Sequence, residues 1–238
     1  MLMLMQKTER PVSFVPKWVI LALLILLVSQ ITYHAITINL IAEIKPLGSP
    51  PHKHYLALSG LSDRILTAKM LMLRLQSHDN QPGVSISFIK LDYDRLTEWL
   101  GVIQALDEDS HYALLSASRL YSKVLDNDKK RIMLDFVKQK YLKRPNQRWR
   151  WMAHCVYVAK YEIQDLNLAL EYARLIRENT SREVAPAWAT QMELFILEDL
   201  DQIESAKILI GGLLESGDIT DEHELRFLHQ RLEELEEK

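Results

Sequence analysis

From Trp18 to Ala42 the chain carries no charged residue, and the block Val19 to Val28 is wholly Val, Ile, Leu and Ala. A helix rises about 1.5 Å per residue, so about 20 such residues cross the roughly 30 Å hydrocarbon layer of a bilayer. Lys17 and Trp18 stand at one edge, where a snorkelling base and an interfacial aromatic belong. A cleaved secretory signal needs small residues just before the cut. The candidates Ala35 and Ala42 have Tyr33 and Leu40 two positions earlier. The expectation is an uncleaved transmembrane helix over 18–42, after an N-terminal tail over 1–17. Lys7, Arg10 and Lys17 precede it, and Lys45 and Lys53 come after it. The bias places the N-terminus in the cytoplasm, the span in an inner (cytoplasmic) membrane, and the C-terminal part in the periplasmic or extracytoplasmic space. Gln30, Tyr33, His34 and Thr37 fall on one face of the span. This polar face suits contact with another membrane helix. The alternative is a position near the far interface, where polar groups cost little.

"KPLGSPPHKH" then breaks the helix and gives a stiff linker over 43–54. The remaining chain, 55–238, is long enough for one domain with a real core. Seven Gly and eight Pro in 238 residues argue against an all-β fold. Apolar residues recur at helical spacing over roughly 55–77, 92–106, 110–125, 128–142, 149–162, 165–178, 185–199, 202–216 and 220–236. One insert, Ser77 to Phe88, contains the turn signal Asn80-Gln81-Pro82-Gly83 and a brief alternation at Val84, Ile86 and Phe88. It reads as an extended loop over the first helices.

Four stretches look alike: "LDYDRLTEWLGVIQALD", "DNDKKRIMLDFVKQKYL", "IQDLNLALEYARLIREN" and "LDQIESAKILIGGLLES". Aligning Leu96, Met133, Ala169 and Ala206 gives spacings of 37, 36 and 37. A period in this range marks stacked helix pairs, each hiding the apolar face its neighbour leaves bare. The last stripe (Leu225, Leu228, Leu232, Leu235) is flanked by Glu and Arg, as a terminal cap requires. From Glu193 onward there are 14 acids and 4 bases, and the rest of the chain holds 18 acids and 25 bases. An acidic cap that keeps a helical stack soluble explains that asymmetry.

Asp165, Leu166 and Ala169, with Asp92, Tyr93 and the closing Asp107, resemble the second helix of a tetratricopeptide repeat and the turn after it. The resemblance covers about residues 90 to 216. It implies an all-α fold: a solenoid of about four helical hairpins with a C-terminal capping helix, behind a single N-terminal transmembrane helix. It also implies a concave groove lined by the first helix of each pair. Carried onto this sequence, that groove is Ser118 and Ser122, then Trp151, His154, Val158 and Tyr161, then Trp188, Gln191 and Phe195, with Arg148 nearby. An aromatic groove with an arginine suits an extended or helical peptide. The layout also resembles bacterial single-span envelope proteins whose tetratricopeptide domains serve assembly complexes. The implied role is a membrane-anchored scaffold or adaptor for a protein partner. A structural accessory subunit held through its transmembrane helix is the alternative.

The chain shows no catalytic signature. It has no phosphate-binding Gly loop and no nucleophile elbow, and in "HELRFLH" Phe227 stands where a zinc motif needs His. No catalytic residue, metal site or cofactor is expected, and no enzymatic activity. The single Cys155, among apolar neighbours, reads as a small buried hydrophobe. "KQKYLKRPNQRWRW" carries Lys138, Lys140, Lys143, Arg144, Arg148 and Arg150 with no acid. This basic patch suits an anionic partner or acidic headgroups, or else is a solvated turn. Nucleic acid is not an expected partner for a domain outside the membrane.

Overall fold

The computed structural model describes residues 15–37, 44–52, 56 and 63–237. Residues 1–14 of the expected tail (1–17), 38–42 of the span, 43, 53 and 54 of the linker, and 55 and 57–62 of the first domain helix lie outside the described residues. Contacts divide the chain into two units, 1–43 and 44–238.

In the first unit, α1 (Lys17–Thr37) is one continuous helix of 21 residues, about 31 Å long. None of its side chains is buried, and its length and composition suit a membrane crossing. Gln30, Tyr33, His34 and Thr37 all lie on it. Within α1 the Thr32 and Thr37 hydroxyls donate back to the carbonyls of Val28 and Tyr33, which hides their polarity in an apolar surrounding.

The second unit is all-α apart from one two-residue ribbon. Its helices are α2 (Arg64–Gln76), α3 (Tyr93–Leu106), α4 (Tyr112–Leu115), α5 (Asn127–Tyr141), α6 (Pro145–Tyr157), α7 (Leu166–Asn179), α8 (Ala187–Thr190), α9 (Met192–Asp199), α10 (Ile203–Glu215) and α11 (Glu222–Glu236). π-helical turns extend α4 through Ser116–Tyr121 and α6 through Val158–Ile163. Aspartates set the starts. Asp63, Asp92, Asp126, Asp165 and Asp221 are N-caps whose carboxylates accept N–H groups of the first turn.

Consecutive elements pack in pairs: α2 on α3, α4 with its π turn on α5, α6 on α7, α9 on α10, with α11 closing on α10. Each pair leans on the next, as α6 packs on α5 and α9 on α7. Side-chain bonds cross the same seams at one repeat of separation. Arg131 reaches Asp165 at 2.8 Å, Tyr141 the Leu175 carbonyl at 2.9 Å, Arg144 Glu108 at 2.6 Å, and Arg231 Glu198 at 2.9 Å. The buried residues form one large cluster from Leu56 to Ile196 and a smaller one from Leu194 to Leu235. Cys155 is fully buried, and burial pushes its thiol well above the ordinary range.

The caps correct the sequence register. The residue four after the cap is Leu96 in α3, Ala169 in α7 and Ala206 in α10, all fully or nearly fully buried. In α5 that residue is Lys130, not Met133, so the spacings are 34, 39 and 37. Lys130 is buried too, and its Nζ donates to the Glu162 carbonyl at 3.2 Å. A lysine hides the equivalence from an alignment built on apolar residues.

Two loops hold tighter than their sequence suggests. In the insert, β1 (Asn80–Gln81) pairs antiparallel with β2 (Val84–Ser85). Pro82 fixes the turn, and Gly83 takes φ 78°, open to glycine at little cost. Ile86 is buried, and Phe88 meets Tyr121 edge-on at 5.5 Å. The expected linker is strapped to the first pair instead of standing apart from it. The Lys45 N–H donates to Gln81 Oε1, Gln81 Nε2 returns to the Lys45 carbonyl, and Trp99 Nε1 donates to the Gly48 carbonyl at 2.8 Å.

Candidate functional site

The first helices of two successive pairs, α6 and α9, and the closing helix α11 present a row of rings. On α6 the positions Arg150, His154, Tyr157 and Tyr161 recur at i, i+4, i+7 and i+11, one helix face. His154 stacks on Tyr157 with centroids 5.7 Å apart and planes at 11°, and Tyr157 meets Tyr161 at 5.0 Å. Phe195 on α9 and Phe227 on α11 continue the series, 6.2 Å apart. Between α6 and α9 lies a cleft of about 430 Å³, floored by Val156, Met192 and Ile196 and walled by Tyr157, Tyr161 and Phe195. Its rim carries ion pairs, Lys160 with Asp199 and Arg231 with Glu198.

This face is exposed where it matters. Tyr161 is 57 % accessible, Tyr157 47 %, Phe227 39 % and Phe195 38 %. The rings offer contact area at low entropic cost. His154 is half-buried. Desolvation, then Arg119 and Lys123, depress its pKa below the ordinary imidazole value.

The expected groove residues divide. His154, Tyr161 and Phe195 lie in this row. Ser118, Ser122 and Val158 have no exposure and cannot meet a partner. The two hydroxyls donate to the carbonyls of Leu114 and Ser118 inside the helix. Ser118 lies inside the π turn Ser116–Tyr121 and Ser122 caps it, and both face the core. Gln191, at the break between α8 and α9, is buried and donates to Glu224 on α11 at 2.7 Å. Trp151 donates to His111 Nδ1 at 3.1 Å and serves the seam with the preceding pair. Trp188, though 55 % accessible, packs edge-on to Trp149 at 5.7 Å. Arg148 is buried, its guanidinium fixed by the carbonyls of Lys140 (2.6 Å) and Glu108 (2.9 Å). It is not a carboxylate clamp, and Arg150 occupies the groove face instead.

The structure adds Tyr157 and Phe227, which the groove positions taken from the resemblance leave out. Tyr157 lies on the accessible side of α6, between the rings of His154 and Tyr161. Phe227 stands out in the sequence only as the residue that spoils a zinc motif.

The basic patch is largely answered from within. Lys138 pairs with Glu171 at 3.1 Å and Asp135 at 3.3 Å, and Arg144 with Glu108 and Asp109 at 2.6 Å each. Arg150 lies 5.4 Å over Trp149. Among the described residues no group of three His, Cys, Asp or Glu side chains is placed to hold a metal.

No family model, curated protein or solved structure matches this chain. The site therefore rests on its own geometry.

Proposed function

We propose that this chain is a membrane-anchored, tetratricopeptide-like adaptor that holds a segment of a partner protein against the aromatic row. The observation that carries the reading is that row itself: four accessible rings, Tyr157 and Tyr161 on α6 and its π turn, Phe195 on α9 and Phe227 on the closing helix α11. Soluble surfaces seldom leave so much contiguous ring area uncovered without a use. In this reading α1 is an uncleaved anchor, with the N-terminus cytoplasmic and the helical domain on the other side, where it serves assembly of an envelope complex. Tethering both partners to one membrane raises their effective concentration, so modest groove affinity suffices.

The test is photo-crosslinking in native membranes, with a photoreactive residue at Tyr161 or at Gln139, exposed on α5. The expected outcome is a defined protein adduct from Tyr161 that Phe195→Ala and Phe227→Ala together abolish. Equal adducts from both positions, or none from Tyr161, would refute the groove. The polar stripe Gln30, Tyr33, His34 and Thr37 supports a second reading, an accessory subunit held through the span. Replacing that stripe with Leu discriminates: partner capture then fails only in the second reading.

A further inference from the structure

Two bases of the Lys138–Arg150 stretch turn inward without an acid partner among the described residues: Arg148, whose guanidinium is held by backbone carbonyls, and Lys140, whose ammonium is not. Lys140 is half-buried, with its Nζ 5.2 Å from the centroid of the Phe136 ring. The charged neighbours that bear on it are Lys143 and Arg148, both positive, and together with burial they depress its pKa. Lys140 lines a cavity of about 880 Å³ beside Gly101, where an added Cβ would stand 3.9 Å from its Nζ.

The rest of that cavity is chemically quiet. Pro50, Leu56, Gly101, Val102, Ala105 and Leu106 give it an apolar lining. Among the described residues its other polar groups are engaged. Asp63 caps α2 by accepting the Leu66 N–H, and Arg64 donates to the Ala105 carbonyl at 2.9 Å. The Thr67 and Thr97 hydroxyls donate to the carbonyls of Asp63 and Asp94, and Glu98 takes Arg95 at 2.8 Å. The volume lies in the range of ligand pockets, about 300–1,000 Å³. An apolar chamber with one uncommitted ammonium selects a ligand with an apolar body and one anionic end.

We propose that this cavity binds a straight-chain fatty carboxylate, its alkyl chain along Leu56, Val102 and Leu106 and its carboxylate on Lys140 Nζ. The site shares no residue with the aromatic row, so it is independent of the adaptor reading. Cations and neutral amphiphiles are disfavoured, because Lys140, Lys143 and Arg148 make that end positive.

The experiment is lysine footprinting of the full-length chain in lipid nanodiscs. An amine-acylating reagent is tracked site by site by mass spectrometry, with octanoate as the probe, below its micelle range. Octanoate is expected to slow acylation of Lys140 several-fold and to leave the exposed Lys143 unchanged, while octanol and acetate protect neither. Ala105→Trp, on an exposed lining position, should fill the chamber and remove the protection while Lys140 still reacts. No protection of Lys140 by octanoate, equal protection by acetate or octanol, or protection that survives Ala105→Trp would each overturn the proposal.

Discussion

Gln164 and Asp201 occupy equivalent places, each just ahead of a second helix, and both adopt positive φ, 61° and 58°. The chain closes the preceding helix there. The Asp165 N–H reaches back to the Ala159 carbonyl, and the Gln202 N–H to Leu197. This left-handed exit is normally a glycine's, because a Cβ there is strained. Gln164 is exposed, so its side chain has little packing to lose. Gln164→Gly should therefore stabilise the domain by about 0.5–1 kcal/mol, after the extra freedom glycine gives the unfolded chain. Thermal unfolding would show it as a rise of roughly 1–4 °C. His154 yields a pH prediction. Folding favours its neutral form, since burial, Arg119 and Lys123 outweigh the opposing Glu162. The unfolded imidazole titrates near 6.5. Above that pH the residue makes no pH-dependent contribution, and as pH falls below it the unfolded state binds the proton more readily and stability drops. Chemical denaturation at pH 7 and pH 5 should show a smaller loss for His154→Gln than for the parent chain.

At the scale of elements, the seam between α7 and α9 turns on one carboxylate. Glu193 is buried, and it holds Arg174 at 3.0 Å and Arg177 at 2.6 Å. Arg174 is half exposed and can trade its partner for water, so Arg174→Ala should cost less than about 1 kcal/mol. Glu193→Gln loses charge from both bonds inside the protein, and the cost should be about 2 kcal/mol by urea unfolding. Equal effects of the two changes would mean that the seam is held by packing alone. The same scale shows what the sequence can tell. Helices over 92–106, 165–178, 202–216 and 220–236 are legible because an aspartate or a turn stands before a 3.6-residue apolar stripe, and cap and stripe agree. The π turns are not legible. Nothing in "SASRLY" or "VAKYEI" departs from ordinary helix composition, yet each turn shifts the facing of the residues after it. The positions carried over from the repeat resemblance put Ser118 and Ser122 on the groove, although they lie in the core. Arg148 misleads for a different reason. Its buried partners are backbone carbonyls, which no side-chain pattern records. The split at Gln191 is hidden likewise, since its hydrogen bond reaches Glu224 on a helix 33 residues away.

For the whole domain, charge and core are distributed in opposite senses. The smaller apolar cluster has eight buried residues, Leu194 to Leu235, against the much larger cluster that precedes it. From Glu193 to Lys238 the chain carries 14 acids against 4 bases. Glu222 and Glu224 sit at the start of α11, where the helix dipole welcomes them, but Glu233, Glu234 and Glu236 crowd its unfavourable end. The Arg231 pair with Glu198 fastens α11 to α9. In a stack of units bound mainly to their neighbours, such an end opens without the rest. Hydrogen exchange should therefore find the amides of α10 and α11 less protected than those of α5 to α7. Salt decides between two electrostatic accounts. Going from about 0.01 M to about 0.15 M shortens the screening length from about 30 Å to about 8 Å. That removes much of the repulsion among exposed acids, whereas the Arg231–Glu198 contact is partly shielded from solvent and screened less. Protection in α10 and α11 should rise with salt while α5 to α7 stay unchanged. A fall instead would mean that the ion pairs, not self-repulsion, govern the acidic end.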